Sequence, residues 1–157
     1  QRNNLDDIQV SDEIKEKLNP YLGKKKQEAL DELKKTPLVL TEEEAKELSE
    51  AVEKSYYDQV KSSFNKNKNA KDFETLPNAV KTALYSLYYN QGSIGPKTLE
   101  AASNDDNYDD LIQEFRNYYK KGSEADEGFA GDRRRIEADY MEKMLKDYKN
   151  YKDYNKA

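Results

Sequence analysis

Leu76-Pro77-Asn78-Ala79-Val80-Lys81-Thr82-Ala83-Leu84-Tyr85-Ser86-Leu87-Tyr88-Tyr89-Asn90-Gln91-Gly92 is the stretch on which the fold turns. Pro77 sits where a first helical turn tolerates a missing amide, and Val80, Ala83, Leu84, Leu87 and Tyr88 then recur every three or four residues as one apolar stripe. Gly92, Gly95 and Pro96 stop the helix. The pattern predicts a buried central helix over 77–89 with amphipathic helices packed around it.

Upstream, Leu5, Ile8, Ile14, Leu18 and Leu22 recur at roughly helical intervals. Ser11 followed by Asp12 and Glu13 makes a helix start, the hydroxyl capping open amides and the acids suiting the positive end of the dipole, and Pro20 and Gly23 break that helix. A second helix over 25–35 is expected to bury Ala29, Leu30 and Leu33. Thr36-Pro37-Leu38-Val39-Leu40 reads as extended, because the residue before proline avoids the helical region. Thr41 and Glu44 form a capping box, after which Ala45, Leu48, Val52, Tyr56, Val60 and Phe64 carry one face for about six turns. A polar, lysine-rich loop over 65–71 leads to the central helix.

Downstream, short helices are expected over 97–102 and 108–119, the latter showing Leu111, Ile112, Phe115 and Tyr119 on one side. A loop with an acidic centre over 122–131 precedes a long last helix. There Asp132 is the expected cap and Ile136, Tyr140, Met141, Met144, Leu145 and Tyr148 the inner face. The tail over 149–157 has a low-complexity look and is expected to fray. No stretch alternates with period two, so the fold class is all-α, in a single domain over 1–157.

Composition narrows the function. The net charge is -5, and the two basic runs, Lys24-Lys25-Lys26 and Arg133-Arg134-Arg135, are too short to displace counterions along a phosphate backbone, so nucleic acid is not an expected partner. They read instead as a solvated helix end and as helix packing with ion pairs. With neither cysteine nor histidine, thiol nucleophiles, Cys/His zinc sites and histidine acid-base catalysis are excluded, and no cofactor is called for. No apolar run reaches the length of a membrane span. Charged residues are 38% of the chain and mean hydropathy is -1.21, yet 13 Tyr and 4 Phe supply core bulk that the aliphatic count understates. Gln1 in place of an initiator Met marks a processed chain, an excised domain or a trimmed one.

Five blocks in order resemble the pesticin-like muramidases, bacterial relatives of phage-type lysozymes. Leu18-Asn19-Pro20-Tyr21-Leu22-Gly23 is similar to the segment before that family's long helix, and Pro37-Leu38-Val39-Leu40-Thr41-Glu42-Glu43-Glu44-Ala45 to its proline-leucine turn and capped helix start. Phe73-Glu74-Thr75-Leu76-Pro77 and the run from Leu84 to Gly92 resemble its buried central helix and following turn, and Gly131-Asp132-Arg133-Arg134-Arg135-Ile136-Glu137-Ala138 the opening of its last helix. The resemblance implies the helical lobe of lysozyme, a peptidoglycan or other amino-sugar glycan as partner, and a secreted or extracytoplasmic location. It also implies a catalytic glutamate and a glycine-rich hairpin ahead of Leu18. Residues 1–17 contain no glycine and no recognisable hairpin, so no catalytic residue is assigned.

By that resemblance Tyr89, Asn90 and Gln91 face a saccharide cleft, amides meeting sugar hydroxyls and N-acetyl groups while a tyrosine face stacks on a ring. The alternative is a helix cap with Gly92 in the left-handed conformation. Arg134 and Arg135, with Arg133 and Glu137, suit either an anionic or acetamido substrate or ion pairs between helices. Asn104-Asp105-Asp106-Asn107 lacks the glycine and distal glutamate of a calcium loop, so no metal site is assigned. Tyr148, Tyr151 and Tyr154 are candidates for self-association or a protein partner. Function is expected to be that of a muramidase relative without its catalytic segment, binding glycan or serving a structural role. The alternatives are the helical portion of an active cell-wall lysozyme and an oligomeric structural protein.

Overall fold

The structure, a computed structural model, describes residues 8–67, 71–104 and 107–154, with side chains at 104 and 148–154 outside the description. The described residues form eight α-helices and two 3-10 turns, and no strand occurs among them, so the fold is all-α. The chain divides into two compact units, Gln1–Asp58 and Gln59–Ala157.

In the first unit, α1 (Asp12–Leu18) runs into a 3-10 turn at Asn19–Tyr21, where Pro20 fits an early turn position, and Gly23 leaves it at φ 75. Ser11 occupies the cap position of α1, but its side chain makes no capping bond; its backbone N–H donates to Glu47 Oε1 at 2.6 Å instead. Next comes α2 (Lys26–Lys35), held by an ion pair from Lys24 to Glu32 and by the Tyr21 hydroxyl donating to the Thr36 carbonyl. The expected burial of Ala29, Leu30 and Leu33 is not found: Leu30 and Leu33 are 45% and 42% exposed, and α2 has no buried residue. Its apolar stripe is real, but no second apolar layer covers it within the described chain.

The capping box forms as the sequence predicts. Thr41 N–H donates to Glu44 Oε2 at 2.8 Å and Glu44 N–H to Thr41 Oγ1 at 3.1 Å, which opens α3 (Glu42–Asn65). Lys17 adds an ion pair to Glu44 at 2.7 Å.

In the second unit, Val60 and Phe64 at the end of α3 are fully buried, and Phe64 meets Phe73 edge to face at 5.7 Å between ring centres. Phe73–Thr75 is a 3-10 turn capped by Asp72, whose Oδ1 accepts from Glu74 N–H. It delivers the chain to α4 (Asn78–Gln91), where Pro77 stands one position ahead of the helix rather than inside its first turn. Ala79, Val80, Ala83, Leu84 and Leu87 are buried along α4, so the central helix is where the periodicity put it. There follow α5 (Pro96–Asn104), α6 (Asp109–Arg116) and a single-turn α7 (Glu124–Glu127). Leu111, Ile112 and Phe115 fill the inner side of α6.

The last helix, α8 (Phe129–Tyr154), departs from expectation twice. It starts at Phe129, so Asp132 lies within its first turn, bonded to Arg135 at 2.9 Å, and is not its cap. Its buried face is Arg134, Ala138, Met141 and Leu145, while Ile136, Tyr140 and Met144 are 68%, 42% and 41% exposed. Both sets recur at helical spacing; a charged residue in the buried one disguised it. Tyr148, Tyr151 and Tyr154 lie on helical backbone, but their side chains are outside the described residues, as are Asp105 and Asp106.

Candidate functional site: the groove between α4 and α8

The close of α4 has a physical cause at Gly92. Its φ of 75 and ψ of 2 place it in the left-handed region, and its N–H donates back to the Tyr88 carbonyl at 2.7 Å. Tyr89, Asn90 and Gln91 are thereby set on the exposed last turn. Tyr89 is 52% exposed, its ring nearly parallel to that of Tyr85, with centres 6.4 Å apart. Gln91 Nε2 donates to the Tyr119 hydroxyl at 2.8 Å.

The Asn90 side chain is engaged at both ends. Its Nδ2 donates to the Ser86 carbonyl at 2.6 Å, and its Oδ1 accepts from Arg133 Nη1 at 2.6 Å. One turn back, Ser86 Oγ donates to Glu137 Oε1 at 2.5 Å, and Arg134 Nη2 reaches the same oxygen at 3.0 Å. Two residues of α4 and three of α8 thus form a polar seam.

Arg134 is 2% exposed, its guanidinium 5.7 Å from the centre of the Phe115 ring. Burial holds its pKa below the ordinary value and pushes that of Glu137 up, each opposed by the other's charge. Arg134 Nη1 and Glu137 Oε2 are buried with no hydrogen-bond partner. Arg135 points elsewhere. Its Nη1 and Nη2 bind Asp126 Oδ1 and the Asp126 carbonyl at 2.8 and 2.7 Å, and Gly122 N–H completes the hold on that carboxylate, whose pKa is lowered by those bonds. Arg135 therefore ties α7 to α8.

Beside the seam runs an open groove of 470 Å³. Thr82, Ala83 and Ser86 line it from α4; Phe129, Ile136 and Tyr140 form an apolar wall on α8, with Asp132, Arg133 and Glu137 as its charged groups. The volume and the mostly apolar lining with a few convergent polar groups suit a small organic ligand. Of the residues expected at the site, Tyr89, Asn90 and Gln91 share one turn, while Arg134 lies beneath the seam and Arg135 at the α7 junction. Reading the sequence named Arg133 beside Arg134 and Arg135 but missed Ser86 and the Phe129–Ile136–Tyr140 wall. The signal was the i, i+4, i+7 and i+11 recurrence of Phe129, Arg133, Ile136 and Tyr140, a second stripe on α8.

Among the described residues no helix is long and apolar enough to cross a membrane, and no group of three or more Asp or Glu side chains is placed to hold a metal ion. Neither the curated proteins nor the solved structures yield a match. A protein-family model does: Pesticin, described as a bacterial toxin homologue of phage lysozyme, C-terminal, matches residues 1–109. The match takes in α1 to α5 with the Tyr89-Asn90-Gln91 turn, and stops short of α8. With 109 of its 157 residues matched, the chain belongs to the pesticin family of phage-lysozyme homologues.

Proposed function

We propose that this muramidase relative binds peptidoglycan or a related amino-sugar glycan at the exposed turn of α4 and the adjoining groove, outside the cytoplasm and without itself cleaving the chain. Tyr89 offers a ring face for a sugar, and Gln91 offers the carbonyl oxygen of its amide, its Nε2 being held by Tyr119. Asn90, Arg134 and Arg135 act behind them, by fixing the turn, the seam and the α7 junction.

The observation that carries the non-catalytic reading is the state of the groove's two carboxylates. A glycosidase needs one protonated carboxyl at the scissile oxygen and a second carboxylate within about 5 to 10 Å. Glu137 has the raised pKa of an acid, but its Oε1 is engaged by Ser86 and Arg134 and its unpartnered Oε2 is buried, and Asp132 is paired with Arg135. Such pairing suits structure better than proton transfer.

Purified cell walls test this directly. The chain should co-sediment with them and leave their turbidity unchanged; clearing by this chain would overturn the non-catalytic reading. Clearing only by a longer form with additional residues ahead of Gln1 would assign the helical part to an active lysozyme.

A further inference from the structure

Three consecutive arginines open α8, and each meets a different surrounding. Arg134 is buried on Glu137, and Arg135 is taken up by Asp126 and Asp132. Only Arg133 lines the groove. Its Nη1 donates to Asn90, and its guanidinium lies 5.3 Å from the centre of the Phe129 ring. Among the described residues, its Nε and Nη2 carry no hydrogen bond and it forms no salt bridge, though its charge acts on Glu137.

Nε and Nη2 are the side-on fork of a guanidinium, two parallel donors at the spacing of a carboxylate's oxygens. Arg133 shares the groove lining with the apolar side chains of Ala83, Ile136 and Tyr140. The neighbouring carboxylates are already engaged, Glu137 by Arg134 and Asp132 by Arg135; Asp132 is 64% exposed, so solvent screens its repulsion. We propose that the groove binds a small monocarboxylate with an apolar body, its two oxygens on the Nε and Nη2 of Arg133. A sugar whose lactyl ether ends in a free carboxylate presents the same two oxygens, so the saccharide form of the inference rests on the glycan reading above; a free apolar carboxylate does not.

Titration calorimetry on the whole chain separates the two, using N-acetylmuramic acid against N-acetylglucosamine and 3-phenylpropionate against 3-phenylpropionamide. Each carboxylate is expected to bind about tenfold more tightly than its neutral counterpart, with a preference that shrinks as salt is raised. Arg133→Gln should abolish the preference while leaving the neutral ligands unchanged, and Arg133→Lys, which keeps the charge without the fork, should reduce it. Asn90→Ala removes the hydrogen bond that orients the guanidinium and should weaken the preference without abolishing it. Equal binding of charged and neutral ligands, or a preference that survives Arg133→Gln, would each overturn the proposal. Preference confined to 3-phenylpropionate would uphold it and sink the glycan reading; sugars bound without preference would do the reverse.

Discussion

A β-carbon added to Gly131 would lie 2.2 Å from the Asp126 carbonyl oxygen, far inside contact distance, because the Asp126 backbone in α7 packs directly on α8 at that residue. Replacing a helical glycine by alanine ordinarily stabilises by about 1 kcal/mol. Gly131→Ala should instead destabilise by about 2 kcal/mol in urea unfolding, since backbone must move to admit the methyl. Arg134 and Glu137 give a second test at this scale. Arg134→Met leaves a carboxylate buried without its cation and should cost about 3 kcal/mol, whereas Arg134→Met with Glu137→Leu should recover most of that loss. Additive losses in the double variant would contradict the ion pair as the cause. Gly131 was not legible in advance, since a glycine there reads as a loop end; ion pairing of Arg134 and Glu137 was among the readings of the sequence, but not the burial of the guanidinium beside Phe115.

Among the elements, two local signals were read correctly, while the caps expected of Ser11 and Asp132 did not form. The Thr41–Glu44 box and the left-handed Gly92 cap depend on contacts within four residues, and both appear as expected. Thr41→Ala should therefore cost about 1 kcal/mol by urea unfolding, with the loss attributable to an opened α3 start. Where facing matters, periodicity was not enough. On α8 two stripes compete, and the one headed by Arg134 won the core; on α2 a correct apolar face has no described layer upon it. The start of α8 was misplaced because the single turn of α7, capped by Ser123 on the Asp126 N–H, is too short to show a period.

For the molecule as a whole, the titrating groups act in opposite directions. Glu44, Glu32 and Asp126 have lowered pKa values, the first two chiefly through Lys17 and Lys24, and Asp126 chiefly through Gly122 N–H. The stability they contribute is present above their unfolded values of 4.5 and 3.8 and is lost as pH falls through the depressed folded values. Burial raises Glu137, so its contribution is most favourable below 4.5 and is lost as pH rises through its folded pKa. Thermal midpoints of Glu137→Gln should thus depend less on pH than those of the parent on the climb from 4.5 toward neutrality. The family was legible because short blocks kept their order, four of the five lying within the matched residues 1–109, whereas the site was only half legible: the Tyr89-Asn90-Gln91 turn is contiguous, but the groove wall comes from a helix about 40 residues away, whose facing no local pattern fixes. The central claim is that this turn and groove receive an amino-sugar glycan. Methyl and amide NMR of the chain, titrated with soluble peptidoglycan strands, tests it most directly. Shifts confined to Tyr89, Gln91, Ala83 and Ile136, with the strands recovered intact, are the predicted result; an unperturbed groove, or shortened strands, would contradict it.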